Sequence, residues 1–266
     1  MDKREIGVTS MAFFPWVLLP GGLLLVNRWS RKAGYDFLQP VPSRGIFPFV
    51  LRRIPADRIP HTQGSWHPRP GRPLMAVARQ FGLVGDEWPL PEDWIVFASA
   101  RLVECRLKLF QRNFPDVRRV GHSWGDPLLE VNPDLLTSAG EQPALGDLLD
   151  YPGDLVIDLW HVRREGWQGQ APLTSEPVEF FQQLLFSGKV VLVHFQPARD
   201  GAELGRFLRG EPTVLDELLA LLRLYPRIPL VVELAPPSTA PASWMFPRSA
   251  IQGLIQVRQR IEEVLT

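Results

Sequence analysis

Six runs along the chain are apolar almost without a break: IGVTS at 6–10, YDFLQPV at 35–41, PLLEV at 127–131, DLVIDLW at 154–160, KVVLVHF at 189–195 and PLVVELA at 229–235. Short runs rich in Val, Ile, Leu and Phe predict strands covered on both faces, as in a parallel sheet. Between or after them, apolar residues recur at helical spacing over about 24–33, 176–187, 213–224 and 248–265. The last helix places Ile251, Leu254, Ile255, Val257, Ile261 and Val264 near one face and offers Ser249 as its cap. Strand and helix in alternation predict βα units, hence an α/β fold.

The centre reads less clearly. Residues 91–113 keep a heptad spacing through Ile95, Ala98, Leu102, Cys105 and Leu109, which suits one long helix. A strand over 95–99 followed by a shorter helix fits equally well. RRVGHS at 118–123 has strand character, but too few residues separate it from PLLEV for an ordinary parallel crossover. The Pro- and Gly-rich pieces at 60–73 and 235–247 do not divide the chain into halves of different composition. One domain over 1–266 is expected. At roughly 33 residues per βα unit that length holds about eight units, the count of a closed (β/α)8 TIM barrel, with irregularity expected around strands 3 and 4.

Charge and cysteine content narrow the partners. With 29 basic and 29 acidic residues the chain is formally neutral, which disfavours a dedicated nucleic-acid binder. The single cysteine, Cys105, allows no intrachain disulfide and favours a cytoplasmic address. The apolar segment at 11–26 is too short for a bilayer span and is interrupted by Pro15, Pro20, Gly21 and Gly22. A buried first loop and helix is expected there, with no membrane association.

Four of the predicted strands carry a polar residue near the carboxyl end: Glu130, Asp158, His194 and Glu233. In a parallel barrel these ends share one rim, where the loops that carry chemistry sit. Taken singly, each has an ordinary explanation as a surface carboxylate, a cap, a satisfied core histidine or an arginine partner. Their recurrence in strand after strand is harder to explain that way. Three carboxylates and an imidazole left unpaired in a low-dielectric mouth are costly, and one divalent cation is the simplest neutraliser. Mixed N/O ligation suits Mn2+, Mg2+, Co2+ or Zn2+.

The chain resembles the xylose-isomerase-like barrels, which include sugar and sugar-phosphate isomerases and epimerases and, more distantly, the endonuclease IV type of apurinic nuclease. The resemblance is carried by AGYDFLQPVP at 33–42, LLEVNP at 128–133, LVIDLWH at 155–161, VLVHFQ at 191–196 and GEPTVLDELLALLRLYPRIPLVVEL at 210–234, in consistent order over most of the chain. It implies a metal quartet of Glu130, Asp158, His194 and Glu233, with the two glutamates also acting as the acid/base pair. It implies substrate contacts for His161, three residues after Asp158, and for Arg206, ahead of Gly210. The expected reaction is proton transfer through the enediolate of a small keto sugar or sugar phosphate, giving isomerisation or epimerisation. A homo-oligomer is compatible with this.

Two departures bear on that expectation. Gln39 stands where the family usually has a glutamate at the end of strand 2; it can still bind a substrate hydroxyl but cannot act as a base. His67 in GSWHP falls near strand 3, where it would touch substrate, but the further histidines of a three-metal nuclease are not evident. The alternatives are a non-catalytic or binding member of the same barrel group and, ranked lower, an endonuclease IV-like phosphodiesterase.

Overall fold

The computed structural model describes residues 4–40, 48–63, 108–109, 111–131, 135–162 and 177–266. Among these residues eight strands are present: β1 (Ile6–Thr9), β2 (Phe37–Gln39), β3 (His61–Gln63), β4 (Arg118–Val120), β5 (Leu128–Val131), β6 (Asp154–Asp158), β7 (Val190–Phe195) and β8 (Leu230–Val232). Six form one sheet in the order β2-β1-β8-β7-β6-β5, and β3 pairs with β4; every pairing is parallel. Gly121, just past β4, bridges Leu129 of β5 in parallel. On the other side β3 lies beside β2, and Thr62 Oγ1 donates to the Pro40 carbonyl at 3.1 Å. Each strand therefore neighbours its predecessor and successor in the chain, and β8 returns to β1 through Ile6–Leu230, Gly7–Val231 and Val8–Val232. That cyclic order is a (β/α)8 barrel, irregular at strands 3 and 4 as the sequence pattern predicts.

Helices α1 (Gly22–Lys32), α2 (Pro48–Leu51), α3 (Leu145–Asp150), α4 (Leu159–Val162), α5 (Pro177–Phe186), α6 (Gly201–Leu208), α7 (Val214–Leu221) and α8 (Pro247–Leu265) follow the strands. The first apolar segment folds as two 3-10 turns and α1, burying Phe13, Val17, Leu23 and Val26. Among the described residues no helix is long and apolar enough to cross a membrane. α7 begins at a reciprocal cap between Thr213 and Asp216. α8 starts earlier than its sequence suggests: Pro247 occupies the first turn after Phe246, so Ser249 lies inside the helix and does not cap it.

The segment at 118–123 resolves as β4 and the turn beyond it. Chain and partner need only one bridge, so a tight loop replaces the helical crossover. In that loop Ser123 N–H donates to Asp126 Oδ2 at 2.9 Å, and Gly125 takes a φ of +101°, which a Cβ would strain. The long central segment at 91–113 lies almost entirely outside the described residues.

Alternation along the strands builds two separate apolar layers. Outward positions such as Ile6, Val8, Leu129, Ile157, Val193 and Val232 pack under the helices. Inward positions Phe37, Val120, Leu128, Val156, Leu192 and Val231 form a distinct plug inside the barrel. Gly7 completes this inner layer: a Cβ there would lie 2.3 Å from the Phe37 ring, so the missing side chain is what lets Phe37 fill the interior. The β1–β8 seam is fastened from below by Arg4, whose guanidinium donates to the carbonyls of Leu222, Tyr225 and Ile228.

Candidate active site

Successive side chains on a strand point to opposite faces, so the residue two places beyond an inward apolar position is also inward. Stepping from Phe37, Val120, Leu128, Val156, Leu192 and Val231 reaches Gln39, His122, Glu130, Asp158, His194 and Glu233. The apolar plug is thus capped at the carboxyl ends of the strands by a layer composed wholly of polar and titratable residues. Register brings the members together: Asp158 pairs directly with His194 across β6 and β7, and Glu233 continues the β7–β8 ladder by donating its N–H to Phe195 O at 2.9 Å.

His194 is the centre of the layer and is fully buried, with 0% exposure. Its Nδ1 faces two carboxylates, Glu130 Oε2 at 3.5 Å and Glu233 Oε1 at 3.4 Å, without a hydrogen bond of good geometry to either. Its Nε2 lies 3.1 Å from the Gln39 amide nitrogen. Glu130 Oε2 also meets His122 Nε2 at 3.1 Å. Asp158 ends β6 and is buried; its Oδ1 accepts the Trp160 N–H at 2.8 Å, which turns the chain into α4. That turn delivers His161 Nε2 to 3.3 Å from Asp158 Oδ2. The strand predicted over 154–160 stops at Asp158 for this reason.

The electrostatics follow from burial and mutual charge. Burial works against a charged His194, but Glu233 and Glu130 outweigh it and raise the imidazole to about 9. Burial likewise pushes Glu130 up, and His194 and His122 overcome it, holding that carboxyl well below the usual range. Glu233 and Asp158 are both pushed up, first by burial and then by the neighbouring carboxylates. Glu233 keeps 24% of its side chain exposed, so the upward push on it is weaker than complete burial gives. His122 is raised: Glu130, through hydrogen bond and charge, outweighs the lowering by burial. The two glutamates around one imidazole are therefore biased in opposite directions, one toward the ionised and one toward the protonated form.

Among the described residues no group of three or more His, Cys, Asp or Glu side chains stands ready as a metal cage. The donor chemistry nonetheless fits a hard to borderline divalent ion: three carboxylates, one imidazole and a buried Nδ1 left without a hydrogen bond between two of the carboxylates.

The structure brings together Glu130, His194, Glu233 and Gln39, and sets Asp158 with His161 next to them. Arg206 lies on α6, exposed, and its side chain makes no hydrogen bond or ion pair among the described residues. His67 lies outside the described residues. His122 is not among the residues that the sequence singles out, because its contact with Glu130 depends on the one-bridge junction of β4 with β5. Parity from Val120 was the available signal. His61 is buried within β3 with its ring 6.1 Å from that of Phe37. At the rim, Arg199 stacks over Trp160 with its guanidinium carbon 5.2 Å from the ring centroid.

Against known proteins, the chain is similar in structure to L-ribulose 3-epimerase, with a TM-score of 0.53 at 13% identity over 99% of this chain and 95% of that one. It is also similar to the D-allulose 3-epimerase of Methylomonas sp., with a TM-score of 0.50 at 11% identity over 97% of this chain and 99% of that one. At such identities the likeness is one of fold, and it bears out the resemblance to the xylose-isomerase-like barrels at that level. No family model and no curated protein matches the sequence.

Proposed function

We propose that this chain is a divalent-metal-dependent isomerase or epimerase of a small sugar or sugar phosphate, built as one barrel over 1–266 and working in the cytoplasm. The observation that carries the reading is the polar layer itself, in which Glu130 and Glu233 converge on one buried imidazole nitrogen above an apolar plug. The two barrels of similar structure are by name sugar 3-epimerases, which supports the same reaction class here.

Glu130, Asp158, His194 and Glu233 are the residues that would hold the ion. When bound, it supplies Lewis acidity that acidifies the C–H beside a sugar carbonyl. Glu130, 3.1 Å from His122 Nε2, accepts that proton and leaves an enediolate. Glu233, across His194 Nδ1 from Glu130, returns a proton. Return to the opposite face of the same carbon gives epimerisation, and return to the neighbouring carbon gives isomerisation. His161 stands beside Asp158 at the rim, with 29% of its side chain exposed and open to a substrate hydroxyl. His67 and Arg206 are assigned to substrate on their sequence positions alone.

The test is wash-in of deuterium from heavy water into a panel of ketoses and their phosphates, with metal content measured on the same preparation. Metal-dependent exchange is expected, reduced about 100-fold or more in Glu233→Gln. A preparation that takes up no metal, and whose Glu233→Gln variant behaves as wild type, defeats the reading. Metal-dependent exchange excludes a purely binding role, and more than one ion per chain would favour phosphodiester cleavage instead.

A further inference from the structure

Gln39 ends β2 and, like His194, has no exposed surface. Its amide nitrogen lies 3.1 Å from His194 Nε2, and its Oε1 is buried without a hydrogen-bond partner. A primary amide presents a donor and an acceptor that exchange places by a half-turn of the last torsion. With the nitrogen toward His194, Nε2 accepts and a neutral ring carries its proton on Nδ1, on the side of Glu130 and Glu233. With Oε1 toward His194, the proton sits on Nε2 and the Nδ1 lone pair faces the two glutamates, the form in which an imidazole ligates a cation. An ionised carboxylate only accepts, and an apolar side chain neither donates nor accepts.

We propose that Gln39 is a positioning residue for His194, an amide whose contact with Nε2 aims Nδ1 at Glu130 and Glu233. The inference rests on the reading of His194 as a metal ligand. It assigns the Gln at this position to the imidazole and not to the sugar.

Titration calorimetry of the purified protein with Mn2+ tests it. Gln39→Met, of similar size but unable to accept, should weaken Mn2+ binding about 10- to 100-fold. Gln39→Glu, which accepts from Nε2–H, should bind Mn2+ at least as tightly as wild type. Thermal melts in EDTA report whether both variants fold. A Met variant that binds Mn2+ like wild type, or a Glu variant as weak as the Met variant, overturns the proposal; a rise in KM alone would return Gln39 to the substrate. Wild type that takes up no Mn2+ defeats the metal reading, and the role of Gln39 is then decided without metal. In that case the ring 15N resonances of His194 are compared: a shift in either variant supports the hydrogen bond to His194, and spectra identical to wild type in both overturn it.

Discussion

His61 gives the barrel a measurable acid limit. Its ring is buried in β3 against Phe37, and its Nδ1 has no hydrogen-bond partner. Burial, with help from the charges of Arg118 and His194, lowers its pKa from 6.5 to about 4. Between those values the unfolded chain binds a proton at this residue and the folded chain does not. Stability is therefore complete above about pH 6.5 and is lost as the pH falls toward about 4. The gap between the two values is worth about 3 kcal/mol, with a slope near 1.4 kcal/mol per pH unit inside the window. Other carboxylates and histidines titrate in the same range, so the quantity to measure is a difference. Urea unfolding of wild type and His61→Phe at several pH values between 4 and 7.5 supplies it, since phenylalanine keeps the ring against Phe37 and removes the titration. The wild-type curve should fall away from that of the variant by about 3 kcal/mol on acidification. Curves that stay parallel across the range, or an NMR titration of His61 near 6.5, would refute the reasoning.

Two further substitutions test the inner layers. Gly7→Ala drives a methyl group to within 2.3 Å of the Phe37 ring and should cost about 1–3 kcal/mol in thermal unfolding. Phe37→Leu in the same chain should recover part of that loss, and additive effects would show that the two residues do not share one space. His122→Phe removes the donor 3.1 Å from the buried Glu130 carboxylate and should destabilise the metal-free protein by about 1.5–3 kcal/mol in chemical denaturation. His122→Gln, which keeps an N–H, should recover part of it; equal loss in both variants would mean that the ring's packing, and not its hydrogen bond, is what counts.

Much of this architecture is written locally. The apolar runs that become β1, β2, β5, β6, β7 and β8 are each long enough to declare themselves, and period-2 alternation alone puts Glu130 on the same side of its strand as Leu128, and His194 on the same side as Leu192. These are properties of near neighbours in the chain, so the sequence by itself determines them. At 118–123 the sequence shows strand character but not the partners of β4, because that evidence is not local: three residues and one bridge to Leu129 make a strand only when β3 and β5 are already in place.

The contacts of the polar layer belong to tertiary structure. That His194 turns Nδ1 toward two glutamates, that Gln39 meets the imidazole, and that His122 reaches Glu130 all depend on which strands adjoin and in what register. Such distances span residues as far apart as 39 and 194, and no local period carries them. Closure of the barrel through Ile6 and Leu230 fixes them, because a cylinder filled by Phe37 and its neighbours leaves the layer above only one way to fit. Sequence thus decides which residues face inward, and packing around a closed ring decides which of them touch.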